Sequence, residues 1–393
     1  MSNDVKNVVL VLVDQLRADA LHATGNPYVK TPNIDKLVRE GVCFDNMYCQ
    51  SPICVPARAS LLSGRYVFSH CVADNKKLLP DSEFSYASAL RAAGYTAACV
   101  GRSHHIDNGF QTVPVPNRDS FEFDTIKNNP FGISNFYLTG KVEYVKESFD
   151  MRVTDTACAF LEDMALRQPF AMQVGFLAPH NPFAIPERYV DMYKPEDMPL
   201  PEDNQELEIP PMLQERYKKD SWLSDRDIQV ARACYYSLVT MIDDCVGKLI
   251  QKLKDLGVYD NTLFILMADH GDMLGDRRLV AKSVAYDSAA KIPCIMTGGG
   301  LPNGKRISCV TEQIDVTATI LDYAGISPPE MVHGRSLFPV MTGEQTSHKG
   351  YAFSQMPTWR MYRDERYKLI LHTDGYGELY DMVNDPREIV NLY

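Results

Sequence analysis

The residue best suited by type and position to take part in a reaction is a cysteine just ahead of a predicted helix. Cys54 is followed by Pro56, which can open a helix, and the chain then runs without further proline to Ser63. A nucleophile at Cys54 would lie near the positive end of the helix dipole, and Arg58, one turn along, can hold an oxyanion. The alternative is an ordinary buried cysteine in the loop before a helix, which is the commoner outcome for a lone cysteine.

Apolar runs typical of buried strands alternate with helical segments over most of the chain. The predicted strands are 8–13, 96–100, 170–176 and 262–267, and the predicted helices are one opened by Pro32 with Thr31 as its cap, 87–93 and 227–256. This alternation favours an α/β fold with a mostly parallel sheet. Polar or charged residues, Asp14 and Asp269 among them, follow the strands directly. Ligands bind at the carboxyl edge of such sheets, so these residues are candidates for a site.

The end of the chain has a different pattern of predicted secondary structure. Its short β-rich runs are 360–363, 367–371 and 378–380. Turn signals separate them, which favours a small antiparallel sheet. We therefore expect two domains, a catalytic α/β domain over 1–345 and an antiparallel β subdomain over 346–393 packed on it. The proline- and acid-rich stretch between Pro182 and Trp222 is expected to be a surface excursion.

Bulk composition excludes several classes of protein. The 393-residue chain has a formal net charge of -11, which argues against a nucleic-acid partner because phosphate binding needs a concentrated basic face. The apolar run 8–13 is too short to span a bilayer, so we expect no membrane segment and no export signal. The ten cysteines show no CxxC pair and are expected to be reduced. These features favour a cytoplasmic protein.

The cysteine run resembles the signature of the sulfatases. The matching residues are Cys54-x-Pro56-x-Arg58 and the following run 59–65. The run 378–392 also resembles the family's C-terminal segment. This resemblance implies the alkaline-phosphatase-like fold, a large mostly parallel sheet sandwiched by helices. It also implies oxidation of the cysteine to formylglycine, whose hydrated aldehyde supplies the attacking oxygen. A formylglycine-generating enzyme or an anaerobic sulfatase-maturating enzyme is the implied partner.

The same resemblance implies a divalent cation between two strand ends. Asp14, Asp269 and His270 match metal ligands of the family, together with the oxidised form of Cys54. Many sulfatases have a second aspartate directly after the first. This sequence has Gln15 there instead, as do the choline-sulfatase and phosphonate-monoester-hydrolase branches, and Gln15 would be a neutral ligand. Carboxylate oxygens favour hard cations, whereas an imidazole also tolerates Mn²⁺ or Zn²⁺. We expect Ca²⁺, with Mg²⁺, Mn²⁺ and Zn²⁺ as alternatives.

Four further residues match catalytic positions of the family. Arg102 replaces the lysine of its Gly-Lys-x-His segment, and His104 matches the histidine there. His180 matches the histidine that faces the leaving group, and Lys282 matches a lysine that contacts a substrate oxygen. Arg102 keeps the positive charge, but a guanidinium is a poor proton donor. Taken singly, such loop residues are more often solvated surface.

The expected reaction is hydrolysis of a sulfate monoester. The substrate is expected to be a small anion, and a sulfated sugar is one candidate. Two alternatives stay open. The first is a phosphonate monoester or phosphodiester hydrolase on the same site, favoured by Gln15 and His270 but opposed by Arg102 and His104. The second is a catalytically silent binding homologue in which Cys54 is never oxidised. Neighbouring His70 is expected to be structural, and Asn75 is a weak candidate for substrate contact. The oligomeric state is left open.

Overall fold

A large sheet of eight strands forms the core of the protein. The computed structural model describes residues 6–104, 108–116, 147–201, 207–221 and 223–393. The strands of this sheet are β1 (Asn7–Val13), β2 (Val42–Tyr48), β3 (Thr96–Gly101), β4 (Gln111–Val113), β5 (Phe170–Phe176), β6 (Thr262–Ala268), β7 (Lys291–Thr297) and β8 (Lys305–Glu312). Their order across the sheet is β4-β3-β5-β1-β6-β7-β2-β8. Every pairing is parallel except the two made by β7, so the predicted α/β sheet is confirmed.

Helices cover the sheet. They are α1 (Pro32–Glu40), α2 (Cys54–Ser63), α3 (Val67–His70), α4 (Tyr86–Ala92), α5 (Phe149–Ala165), α6 (Gln214–Asp220), α7 (Asp225–Asp255), α8 (Asp287–Ala290), α9 (Gln313–Tyr323) and α10 (Phe338–Thr342). Every residue of β1, β5 and β6 is buried, so both faces of the sheet are covered at its centre. Strands buried on both faces need continuous apolar runs, which is why the sequence revealed them. Among the described residues, no helix is both long and apolar enough to cross a membrane.

The beginnings of two helices differ from the prediction. Thr31 makes no side-chain cap on α1. Instead the carboxylate of Asp243 on α7 accepts hydrogen bonds from the backbone N–H groups of Asn33 at 3.1 Å and Ile34 at 2.7 Å. The cap is therefore tertiary, from a residue about 210 positions along the chain. Helix α2 begins at Cys54 itself and not at Pro56, which places the cysteine in the first helical turn.

A second, antiparallel sheet forms the end of the chain. Its strands are β9 (Tyr351–Met356), β10 (Trp359–Asp364), β11 (Tyr367–His372) and β12 (Gly377–Asp381), in the order β12-β11-β10-β9. The small C-terminal sheet was predicted correctly, but its first strand, β9, was missed. Side chains of this sheet share a hydrophobic cluster with residues of the large domain, among them Trp359 and Tyr380 with Tyr48 and Tyr286. The two sheets are thus joined by a common core.

A cluster of buried charges also holds the two sheets together. Lys349, just before β9, contacts the carboxylates of Glu312 and Asp315, and all three side chains are at most 1% exposed. We call these three residues the junction cluster. Since a buried charge is costly unless it is paired, the cluster stabilises the position of β9 on the end of β8.

The proline-rich excursion is more deeply packed than expected. In its described part, Phe183, Ile185, Tyr189 and Tyr193 are buried. The Tyr189 hydroxyl donates to an α7 carboxylate at 2.7 Å. The prediction of a surface segment is therefore wrong for these side chains, because aromatic residues spaced among the prolines pack against α7. Trp222, its predicted limit, lies outside the described residues.

Candidate active site

The carboxyl ends of the parallel strands bring the predicted residues together. Asp14 follows β1, Asp269 follows β6, and Arg102 follows β3. Because β3, β5, β1 and β6 run in the same direction, their ends lie on one edge of the sheet. Cys54 approaches this edge on the first turn of α2, and its side chain is fully buried.

Asp14 lies at the centre of the cluster. Its Oδ2 lies 2.6 Å from Nε of Arg102, 3.3 Å from Nη2 of Arg58 and 3.3 Å from Nε2 of His104. Burial acts to raise the pKa of Asp14, but the positive charges of His180, Lys282 and Arg58 and the hydrogen bond from His104 hold it well below its usual range. Asp14 is therefore an anion in the site despite complete burial.

The thiol of Cys54 is surrounded by three of the other predicted residues. Its Sγ lies 3.0 Å from Nζ of Lys282, 3.3 Å from Nε2 of His270 and 3.6 Å from Oδ1 of Asp14. Burial and the charge of Asp14 act to raise the pKa of Cys54, but Lys282, His270 and a hydrogen bond with His104 outweigh them and hold it well below its usual value. The site thus favours negative charge at the atom that Cys54 contributes.

Asp269 and His270 are held in fixed orientations. Asp269 accepts hydrogen bonds from the backbone N–H of Gln15 at 3.0 Å and from Nε of Arg58 at 2.9 Å. Nδ1 of His270 lies 3.0 Å from the carbonyl of Gly271, so this nitrogen carries the proton and donates it. Nε2 is then the ring nitrogen that faces Cys54, which is the orientation a metal-ligating imidazole adopts.

Four of these residues form a potential metal centre. Ligand atoms of Asp14, Cys54, Asp269 and His270 all lie within 4.8 Å of one another, and all four residues are buried. Two carboxylates and an imidazole nitrogen are a donor set that suits a divalent cation. The residues present therefore fit a resident cation, with the Sγ position occupied by an oxygen if Cys54 is oxidised.

Gln15 has a partner that the sequence did not suggest. Its Nε2 donates to Oδ2 of Asp272, and its Oε1 accepts a hydrogen bond of 2.7 Å from Nζ of Lys282. Asp272 lies three residues after Asp269 in the sequence, and no local pattern links it to Gln15. The contact spans 257 positions and could be found only from the fold.

His180 reaches the site through a loop that a second unforeseen carboxylate supports. Asp150, in the first turn of α5, accepts hydrogen bonds from the backbone N–H groups of Leu177 at 2.6 Å and Ala178 at 3.1 Å. Burial raises the pKa of Asp150 to about 6 despite these bonds. Nδ1 of His180 lies against the carbonyl of Asn181, a contact that does not use Nε2.

Two residues after the cysteine helix serve the helix itself. Oδ1 of Asn75 accepts a hydrogen bond of 3.0 Å from the backbone N–H of Val55, so this side chain caps α2. His70 accepts from the backbone N–H of Val72 through Nδ1 and lies 2.8 Å from Oγ of Ser60 through Nε2. Burial, with the charge of Arg65, lowers the pKa of His70 to about 4. In this geometry the Asn75 oxygen, a weak candidate for substrate contact, is engaged by the backbone.

The C-terminal sheet closes one side of the site. Met356, at the end of β9, places its sulfur 3.1 Å from Oγ of Ser51, three residues before Cys54. Trp359, at the start of β10, donates through Nε1 to the carbonyl of Ser283 at 3.1 Å, next to Lys282. The turn between β9 and β10 therefore braces both segments that carry these two site residues.

Comparisons with known proteins agree with this arrangement. Residues 6–326 match the family model "Sulfatase", and residues 275–393 match the model "N-sulphoglucosamine sulphohydrolase, C-terminal". An arylsulfatase of Clostridium perfringens is 29% identical over 98% of this chain and 90% of its own length. The multifunctional alkaline phosphatase superfamily protein PehA of Trinickia caryophylli is 30% identical over 98% of this chain and 91% of its own length.

Solved structures show the same fold. A phosphonate monoester hydrolase of Agrobacterium radiobacter superposes with a TM-score of 0.85 at 24% identity, over 98% of this chain and 91% of that one. A protein in complex with its substrate D-glucosamine-2-N,6-O-disulfate superposes with a TM-score of 0.82 at 22% identity, over 99% and 93% of the two chains. The alkaline-phosphatase-like fold predicted from the sequence is thereby confirmed. By the match over residues 6–326, the chain belongs to the sulfatase family and is a sulfuric ester hydrolase.

Proposed function

We propose that the protein hydrolyses sulfate monoesters with a formylglycine derived from Cys54 and a divalent cation. The observation that carries this proposal is the convergence of Cys54 with Asp14, Asp269 and His270 within 4.8 Å. These residues would hold the cation together with the oxygen of Gln15. Oxygen donors favour a hard cation such as Ca²⁺ or Mg²⁺, and the family resemblance makes Ca²⁺ our first choice. The cation would supply charge neutralisation and fix the sulfate group against the nucleophile.

The hydrated aldehyde of oxidised Cys54 would supply the oxygen that attacks sulfur. Lys282, 3.0 Å from Sγ, is placed to stabilise charge beside that oxygen. His180 would protonate the departing alcohol, with Lys282 as the alternative donor. The contact of its Nδ1 with the carbonyl of Asn181 supports this role, because that contact does not use Nε2. His104 would accept the proton of the remaining diol hydroxyl, so that the aldehyde re-forms as sulfate leaves.

Arg58 and Arg102 differ in how far their N–H groups are already engaged by other residues. Arg58 is 3% exposed, and its donors are engaged by Asp269, Asp14 and the carbonyl of Arg102. We therefore assign Arg58 mainly to holding the two carboxylates. The Arg102 side chain is 26% exposed and contacts Asp14 through Nε. Its terminal nitrogens are the better placed to bind sulfate oxygens.

A phosphonate monoester or phosphodiester is the second candidate substrate. The neutral Gln15 and the likeness to a phosphonate monoester hydrolase favour it. Arg102 and His104, both in contact with Asp14, oppose it, because phosphonate monoester hydrolases tend to lack the basic residue and the histidine of this segment. We favour a sulfated sugar as the substrate, since residues 275–393 match the C-terminal model of an N-sulphoglucosamine sulphohydrolase. Initial rates on aryl sulfate and aryl phosphonate, measured on one preparation, would rank the two reactions.

The first test is removal of the proposed nucleophile. Cys54→Ala should abolish sulfate release from an aryl sulfate, while the far-ultraviolet circular dichroism spectrum stays that of the parent protein. Cys49→Ala is the matched control, because Cys49 is also buried but belongs to the core. It should keep its turnover. Turnover by Cys54→Ala at the parental rate would sink the proposal.

The second test concerns maturation and separates an enzyme from a silent binding homologue. Conversion of the thiol to an aldehyde lowers the mass of the peptide that contains Cys54 by about 18 Da. Coexpression with a maturation enzyme should raise the converted fraction, and specific activity should rise in proportion. A protein that stays unconverted on coexpression, or one that is fully converted and still inactive on a broad sulfate-ester panel, would favour a silent binding homologue.

A further inference from the structure

We propose that Asp272 is a positioning residue that turns the amide oxygen of Gln15, and not its nitrogen, toward the cation. This inference rests on the proposed function, because it assumes a cation between Asp14 and Asp269. The two ends of a glutamine amide have almost the same shape, but only the oxygen can ligate a metal ion. A neighbour that accepts a hydrogen bond from the nitrogen therefore decides whether Gln15 is a ligand at all.

The carboxylate of Asp272 is itself fixed. Asp272 is 1% exposed, and its Oδ1 accepts a hydrogen bond of 2.7 Å from the backbone N–H of Leu274. Arg17 donates to the Asp272 carbonyl at 2.8 Å and holds the backbone of this segment. With Oδ1 occupied in this way, Oδ2 is the oxygen presented to Nε2 of Gln15.

Gln15 is equally constrained. Its backbone lies in the left-handed region with φ 68°, which a residue with a side chain adopts only when its surroundings hold it. Its N–H donates to Asp269 at 3.0 Å, and its carbonyl accepts from the hydroxyl of Tyr235 at 2.7 Å. The peptide groups on both sides of the side chain are thus tied, and rotation of the terminal amide is the main freedom left.

The contacts of the amide oxygen show which side it faces. Oε1 accepts a hydrogen bond of 2.7 Å from Nζ of Lys282, and the same nitrogen lies 3.0 Å from Sγ of Cys54 and 3.9 Å from Oδ1 of Asp14. The oxygen therefore points to the metal cluster while the nitrogen points to Asp272. The arrangement gives the cation a neutral oxygen donor and places a buried carboxylate directly behind it, polarising that donor.

The decisive variant is Asp272→Asn. The Leu274 N–H would retain the introduced amide oxygen, so the introduced NH₂ would face Gln15 and force its amide to turn. Nitrogen would then face the cation. Isothermal titration of CaCl₂ into chelator-treated protein should show a Kd raised about 10- to 100-fold, the usual effect of removing a partner behind a metal ligand. Asp243→Asn is the matched control: it changes a buried carboxylate that caps α1, should lower the melting temperature, and should leave the Kd within about twofold.

A reciprocal pair of changes makes the test independent of simple misfolding. Gln15→Glu alone would set two buried carboxylates against each other and lower the melting temperature in cation-free buffer. The double variant Gln15→Glu with Asp272→Asn restores a donor facing an acceptor and leaves a carboxylate oxygen on the cation. It should recover the melting temperature lost in Gln15→Glu and bind Ca²⁺ at least as tightly as the parent protein.

The outcomes separate this inference from the proposed function. An unchanged Kd in Asp272→Asn, or a double variant that binds no better than Asp272→Asn, overturns the positioning role and leaves the proposed function standing. If Asp272→Asn does not fold, the comparison of the double variant with Gln15→Glu decides in the same way. A parent protein that binds no divalent cation overturns the metal centre of the proposed function together with this inference.

Discussion

Two regions of the molecule bury charged side chains completely, and they do so in opposite ways. In the junction cluster, Lys349 lies between Glu312 and Asp315, and the Glu312 carboxylate also accepts hydrogen bonds from the hydroxyl of Tyr66 and the backbone N–H of Phe353. Each charge has a partner close at hand. Such a closed network fixes structure and has no donor or acceptor directed at a ligand.

The active site is arranged differently. Around Asp14 the side chains of Arg58, Arg102, His104 and Lys282 converge on one carboxylate. Ligand atoms from four residues also point toward a common space. Several charges directed at one point, without forming separate ion pairs, indicate a ligand site. Charges that are joined in separate ion pairs stabilise the fold. The difference distinguishes functional from structural burial more clearly than depth does, since the carboxylates are completely buried in both regions.

The largest expected effect is on stability, in the junction cluster. Lys349→Met should lower the free energy of unfolding by about 3–5 kcal/mol, because it removes the cation that two buried carboxylates share. Asp315 keeps its contact with His348, so most of the loss falls on Glu312. Urea unfolding followed by circular dichroism would measure it. Turnover per folded molecule should stay near the parental value. A stability loss below 1 kcal/mol would show that the cluster is not closed in solution.

The same substitution at Lys282, in the candidate active site, should do the reverse. Lys282→Met should reduce kcat on an aryl sulfate by roughly 100- to 1000-fold, since a charge beside the reacting oxygen is lost. Its free energy of unfolding should change far less than that of Lys349→Met, because Lys282 serves several acceptors without being the sole counter-ion of any. Steady-state kinetics and urea unfolding on the same samples would test the contrast. Equal stability losses for both variants would refute it.

A smaller, pH-dependent effect is expected at another closed cluster, in which Lys368 contacts Asp287 and Glu388. Burial, opposed by Lys368 and aided by Asp287, raises the pKa of Glu388 to about 7. The folded protein therefore holds a proton here that the unfolded chain releases near pH 4.5. Its stabilising contribution is present below pH 4.5 and is lost as pH rises to about 7.

The substitution Glu388→Gln tests this contribution because the amide does not titrate. Between pH 5 and pH 8 the parent protein should lose roughly 2–3 kcal/mol of stability relative to this variant, as expected from the size of the pKa shift. Urea unfolding at both pH values gives the difference directly. A parent protein that gains stability relative to the variant as pH rises would contradict the assignment.

Much of the fold could be predicted from the sequence because its determinants are local. β1, β5 and β6 are short apolar runs that end in polar residues, and the parallel direction of such strands brings their ends to one edge. Asp14 and Asp269 are placed by that rule alone. The cysteine helix followed equally from its local sequence, apart from its first residue.

The rest depends on contacts between distant positions. Asp243 caps α1, Asp150 supports the loop of His180, and Asp272 holds Gln15, but none of the three shows a local pattern that identifies its partner. A carboxylate in a helix or loop has many potential donors, and only the folded chain selects one. Strand β9 was missed because its pairing with β10 and its contact with β8 decide its structure more than its own composition does.

If Cys54 is oxidised as proposed, the contact between the β9–β10 turn and Ser51 limits the time available for that oxidation. Cys54 is fully buried in the finished fold, so a maturation enzyme would have to act before the chain closes around it. The closing turn is synthesised roughly 300 residues later, which at ribosomal rates of about 5–20 residues per second leaves an interval of roughly 15–60 s. The yield of active protein should therefore depend on how fast translation proceeds after Cys54 relative to how fast the maturation enzyme finds it.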